Sequence, residues 1–223
     1  MPQTGLNDDF SQIAFADTAA MDWSASPSPS VWRKRLDLAG PAEAGRVTSV
    51  VRYDPASSFH SHPHPDGEEI LVLDGVFSDE SGDYPAGSYL LNPEGFEHAP
   101  RSGPGCRLFV KLRQYPGHAR RHVALAREGM EWSAAHDGVA QCTLYSEAGY
   151  PETMVLLRLE AGAPVPLEEG GNELFVLSGA LGGHEAPLPA QSWLRLPAGV
   201  TAALTALTPT ELYRKSGHLA ALA

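Results

Sequence analysis

Two cysteines, Cys106 and Cys142, are the only thiols in this chain of 223 residues. Two cannot build a disulfide framework, so the expected compartment is a reducing cytoplasm. Basic residues are also scarce. Lys and Arg number 16 against 27 Asp and Glu, a formal net charge of −11. That balance argues against nucleic acid and anionic membranes as partners. No apolar run reaches the roughly 20 residues that a spanning helix needs. The first twenty residues include Asp8, Asp9 and Asp17 and lack a signal-peptide core. Helical periodicity is weak everywhere; residues 119–130 (ARRHVALAREGM) are the best candidate helix.

Glycine and proline, by contrast, are plentiful at 22 and 19, and hydrophobic residues make up 43% of the chain. Short Val/Leu/Tyr runs punctuated by Gly and Pro predict an all-β sandwich or barrel with a real core. The chain also repeats itself. Glu69-Ile70-Leu71-Val72-Leu73-Asp74-Gly75 matches Glu173-Leu174-Phe175-Val176-Leu177-Ser178-Gly179, and Pro93-Glu94-Gly95 matches Pro197-Ala198-Gly199. Pro85-Ala86-Gly87-Ser88-Tyr89 matches Pro189-Ala190-Gln191-Ser192-Trp193, and Lys111 matches Lys215, all at one offset of 104. Two copies of one β unit are therefore expected, 1–118 and 119–223, with the second interior filled by Leu174, Val176 and Trp193.

The repeat acts as an internal control. Features kept in both copies serve the fold; features in one copy alone are candidates for function. His62, His64, Glu68 and His98 face Pro166, Glu168, Asn172 and Ala202 in the second copy, so all four are lost together. On a strand, His62 and His64 project to one face. The turn Pro65-Asp66-Gly67 puts Glu68 at the head of the next strand, and a turn at residues 92–95 returns His98 to the same place. Three imidazoles and a carboxylate suit a divalent first-row metal and leave open positions for water or a small chelating ligand. One metal per chain is expected, zinc first, with iron, nickel and manganese compatible. His60 is a rival to the pair His62/His64 and is read as an entrance or supporting residue. Glu69 rivals Glu68, but its counterpart Glu173 survives in the copy without histidines. His118, His122, His136, His184 and His218 are expected at the surface or in turns, Lys111 and Arg113 at solvent or a rim, and Cys106 as a buried free thiol.

These stretches resemble the paired motifs of the cupin superfamily: His-x-His, three residues, Glu, six residues, Gly; then Gly, five residues, Pro-x-Gly-x-x-His. Ala56 stands where the first motif usually opens with Gly, and Ser102 where the second usually closes with Asn. Residues 64–80, 82–87 and 109–114 are similar to the cupin-like domain of ChrR-type anti-sigma factors. The resemblance implies two tandem cupin (RmlC-like) jelly-roll barrels and a metal on His62, His64, Glu68 and His98. It also implies a regulatory or sensor role in oxidative stress, tied to an extracytoplasmic-function sigma factor. The helical His-x-x-x-Cys-x-x-Cys domain that holds the sigma factor in that family has no counterpart, because no cysteine precedes Cys106. Other cupins of this size resemble metal-dependent dioxygenases, which gives the alternative reading. A two-fold homodimer that covers sheet edges is expected as well.

Overall fold

The computed structural model describes residues 5–220 and 222. It is all-β, with antiparallel sheets and, among the described residues, no α-helix. The principal strands are β1 (Ala14–Asp17), β2 (Val31–Ala39), β3 (Arg46–Tyr53), β4 (Glu68–Asp79), β5 (Tyr89–Asn92), β6 (Cys106–Leu112) and β7 (Val123–Leu125). They are followed by β8 (Val139–Ser146), β9 (Thr153–Leu159), β10 (Asn172–Ser178), β11 (Ser192–Leu196) and β12 (Thr210–Ser216).

Two compact units emerge: Asp22–Gly129 with residues 5–8, and Asp9–Met21 with residues 130–220. In the first unit the main sheet runs β2-β3-β6-β4-β5-β7; in the second it runs β8-β9-β12-β10-β11-β1. The two orders correspond strand for strand, with β4/β10, β5/β11 and β6/β12 at the repeat offset of 104. The last strand of each sheet comes from the chain segment leading into the other copy. β7 pairs with β5, Leu91 opposite Val123, and β1 pairs with β11, Ala16 opposite Trp193. Smaller sheets complete each unit, and among the described residues no sheet closes on itself.

The first core gathers Ile70, Val72, Phe77, Leu90, Leu108 and Val110. The second is larger and includes Leu157, Leu174, Val176, Leu194, Leu196 and Leu212. Trp193 does not join it. Side chains alternate across a strand, so Trp193 lies on the opposite face from Leu194, where its Nε1 donates to Glu173 Oε1 at 2.6 Å.

Three further expectations are corrected. Residues 119–130 hold strand β7 and a single 3₁₀ turn, Arg127–Gly129, instead of a helix. An isolated short helix is marginal in water, whereas here the sheet edge at β5 supplies partners. Lys111 is fully buried, because both faces of its sheet are covered; its Nζ donates to Thr48 Oγ1 at 3.2 Å. His218 is buried too, its Nε2 3.4 Å from Glu173 Oε2. Gly75 lies within β4 opposite Cys106, and the register shift in the pairing with β6 falls between Val72 and Asp74.

Candidate metal centre

Short-range geometry builds the site. Asp66 and Gly67 both take left-handed φ, 53° and 72°, which turns the chain from His64 into β4. A Cβ on Gly67 would stand 2.8 Å from Asn92 O, so the close approach requires glycine. The turn at residues 93–96 is clamped to His64 in both directions: His64 N donates to Phe96 O and Gly95 N to His64 O, each at 3.0 Å. The short strands His62–Pro63 and Glu97–His98 then pair with His98 opposite His62. Local turn chemistry thus brings residues 36 apart in sequence into one cluster.

The donor atoms of His62, His64 and His98 lie within 4.8 Å of one another. His64 Nε2 and His98 Nε2 are 2.9 Å apart, with Glu68 Oε2 at 3.5 and 3.4 Å from them. Burial, and then the positive charges of His62 and Arg113, pushes His64 down to about 4; burial also lowers His98. Both rings are therefore neutral near pH 7, the form that ligates. Burial raises Glu68, while His98 and Asn92 oppose the shift. Two ligands at about 2.1 Å from a shared ion and at right angles would stand about 3 Å apart, which fits the His64–His98 separation. Two neutral nitrogens facing each other at that distance, with a carboxylate beside them, form a donor set suited to a divalent cation.

The rings are held from behind. His62 Nδ1 donates to His60 O at 2.9 Å, and His98 Nδ1 lies 3.4 Å from Asp79 Oδ2, so the Nε2 atoms turn to the cluster. Asn92 Nδ2 donates to Glu68 Oε2 at 3.0 Å. His60 thus has a supporting place through its carbonyl. Glu69 lies on the other face, where it accepts from the Tyr115 hydroxyl. The sequence reading missed Asp79 and Asn92. The signal was available in the repeat: their counterparts are Gly183 and Leu196, so both are confined to the first copy.

A cavity of about 550 Å³ opens onto His62, His64 and Glu68, walled by Val51, Leu108 and Val110. His98 is fully buried and His62 exposed, so the cluster spans from interior to mouth. In the second unit the counterpart positions are arranged around an arginine. Arg214, at the position of Val110, donates from Nη1 to Pro166 O at 2.6 Å, and its Nη2 lies 3.3 Å from Glu168 Oε1. Pro166 and Glu168 stand where His62 and His64 stand in the first copy, and Asn172 Nδ2 donates to Glu168 O at 2.8 Å. A guanidinium thus occupies, within the second unit, the region that the first gives to its cluster.

The antiparallel architecture that carries this three-histidine cluster has a cupin-like fold. Residues 11–116 match the family model of the ChrR Cupin-like domain. No protein among the curated proteins matches the sequence. Among solved structures, a candidate dioxygenase of Nostoc punctiforme is 16% identical with a TM-score of 0.75, covering 92% of this chain and 82% of that one. Oxalate decarboxylase of Lactobacillus farciminis is 10% identical, TM-score 0.66, covering 92% and 86%. The Escherichia coli pirin YhhW, in complex with nickel(II), is 13% identical, TM-score 0.67, covering 92% and 98%. At these identities the likeness concerns the fold. Among the described residues no helix is long and apolar enough to cross a membrane.

Proposed function

We propose that the first unit holds one divalent metal on His62, His64, Glu68 and His98, and that the protein is a metal-dependent enzyme of the cupin dioxygenase kind acting on small molecules. The observation that carries this reading is the cavity of about 550 Å³ that opens onto three of those four residues. That volume suits a small organic ligand. A bound ion would supply Lewis acidity and open positions for a chelating ligand. The chain supplies the rest. The His60 carbonyl and Asp79 orient two imidazoles, Asn92 orients the Glu68 carboxylate, and Val51, Leu108 and Val110 give the cavity an apolar wall.

In this reading the two copies, 1–118 and 119–223, are tandem jelly-roll barrels that exchange their edge strands. The second is a metal-free scaffold with the Arg214 guanidinium, a buried cation, at the counterpart of the metal site. A second reading, a metal-bearing sensor module in the cytoplasm, rests on the match of residues 11–116 to the ChrR Cupin-like domain. A sigma-factor partner is not part of either proposal; a two-fold homodimer is compatible with both and is checked by sedimentation.

Elemental analysis of protein purified from its own host, followed by oxygen-uptake assays, tests the proposal. One metal per chain, lost in His98→Ala, is expected. Iron, nickel or manganese with substrate-dependent oxygen uptake supports the enzyme. Zinc at one per chain without oxygen uptake supports the sensor, and two metals or none per chain overturns the site.

A further inference from the structure

The cavity beside the cluster does not share the acidic balance of the whole chain. The protein carries a formal charge of −11. Yet the residues lining the cavity include one cation, Arg33, and one carboxylate, Glu68, which belongs to the cluster. The remaining lining is apolar or neutral, with Ser26, Ser28, Ser30 and Ser58 among it. A single cation in a cleft with partly apolar walls attracts an anion more strongly than the same charge does in bulk water.

Arg33 is placed there by register. It pairs across the sheet with Val51, and Val51 with Leu108, so the three side chains stand in one transverse row on the cavity face. That row meets β4 at Val72, three strand spacings from β2 or about 14 Å along the sheet, and Glu68 stands four residues further along β4. A ligand held at Arg33 would therefore lay its body along the Val51–Leu108–Val110 wall toward the cluster.

The guanidinium is already occupied by a carboxylate. Arg33 Nη1 lies 2.7 Å from Glu43 Oε2, and the other oxygen of Glu43 lies 2.7 Å from Arg35 Nη2. This ion pair lowers Glu43, although burial works against it. Glu43 comes from the turn at residues 41–45, and its side chain is 51% exposed. An exposed pair of this kind contributes only about 0–1 kcal/mol, so an incoming carboxylate can displace it. Arg33 has further N–H donors in a fork that matches a carboxylate.

We propose that this cavity binds a small monocarboxylic acid with an apolar body, its carboxylate taken by Arg33 in exchange for Glu43. The proposal deepens the enzyme reading and rests on it for what happens at the cluster, but the Arg33 contact needs no metal. Glu43 acts as a built-in competitor: its carboxylate shows that the guanidinium accepts that group, and its tether keeps it out of the cavity.

Titration calorimetry of the whole protein, metal-free and zinc-loaded, with 4-methylpentanoate and its amide as probes, tests this. The wild type should bind the acid saturably and prefer it to the amide in both forms. Arg33→Met, which keeps most of the apolar volume, should weaken the acid at least tenfold and leave the amide unchanged. Glu43→Gln is a change at an exposed turn and should move the other way, strengthening the acid severalfold. No saturable binding by the wild type, equal affinity for acid and amide, or an Arg33→Met protein that binds the acid as well as the wild type overturns the proposal. A weaker rather than stronger acid complex in Glu43→Gln does so too. Zinc stoichiometry on the same samples separates the two readings. One zinc without acid selectivity removes the carboxylate proposal alone; acid selectivity without metal binding leaves the anion pocket and removes the enzyme.

Discussion

Asp79→Asn is expected to loosen the metal without loosening the fold. Asp79 is 1% exposed; its Oδ2 lies 3.4 Å from His98 Nδ1, and its Oδ1 accepts from Ser81 N at 2.7 Å. Asparagine keeps the volume and one acceptor for Ser81. It loses the charge that holds a proton on Nδ1 and so leaves Nε2 free to ligate. Changes to such supporting partners weaken metal affinity about 10–100-fold, or about 1.4–2.7 kcal/mol. The effect appears in melting. At free metal 1,000 times the wild-type Kd, binding adds about 4.1 kcal/mol of stability; after a hundredfold loss of affinity the same metal adds about 1.4 kcal/mol. The assay is a buffered metal titration paired with denaturant unfolding, with and without metal. Affinity within threefold of wild type would refute the reasoning, as would metal-free stability lowered by more than about 2 kcal/mol, because Asp79 would then serve the fold instead of the ligand.

Three other perturbations separate structure from function. Ala56 holds a left-handed φ of 62°, a strain that glycine lacks; Ala56→Gly should stabilise by about 0.5–1 kcal/mol, read from the denaturant midpoint. Gly75→Ala should cost about 3–5 kcal/mol, because its new Cβ would stand 2.1 Å from Gly105 O; Gly199→Ala, with a similar φ of 75° and nothing within 4 Å, should cost only the conformational term of about 1–2 kcal/mol. Equal losses in the two variants would show that the clash is relieved at no cost. Burial pushes the Cys106 thiol up to about 11 and its side chain is 4% exposed. A thiol reagent at pH 7–8 should therefore leave it unmodified until the protein unfolds, and rapid reaction in the native state would contradict the buried placement.

The site was legible because its information is local. His62-x-His64, the Asp66-Gly67 turn and the Pro93-x-Gly95-x-x-His98 turn set their own geometry over a few residues, and the repeat separated fold from function by comparison within one chain. Gly95 and Gly199, present in both copies, take left-handed φ, 80° and 75°, and the nearest atom to a Cβ at Gly95 is His118 Nδ1 at 3.3 Å, so the constraint there is conformational. The steric constraint lies at Gly75 and Gly179, where a Cβ would meet a backbone oxygen at 2.1 and 2.4 Å.

The sequence by itself determined the all-β class and which histidines cluster, because period-two patterning, turn residues and motif spacing act over short stretches of chain. The tertiary structure alone decided that residues 123–125 complete the first sheet and residues 14–17 the second. It also decided that Lys111 and His218 are buried, that Trp193 turns away from the second core, and that Asp79, Asn92 and Arg33 point at the cluster or its cavity. Each of these depends on which strand lies beside which, and on whether a sheet is covered on one face or both. Those are long-range facts that a strand's own alternation does not encode.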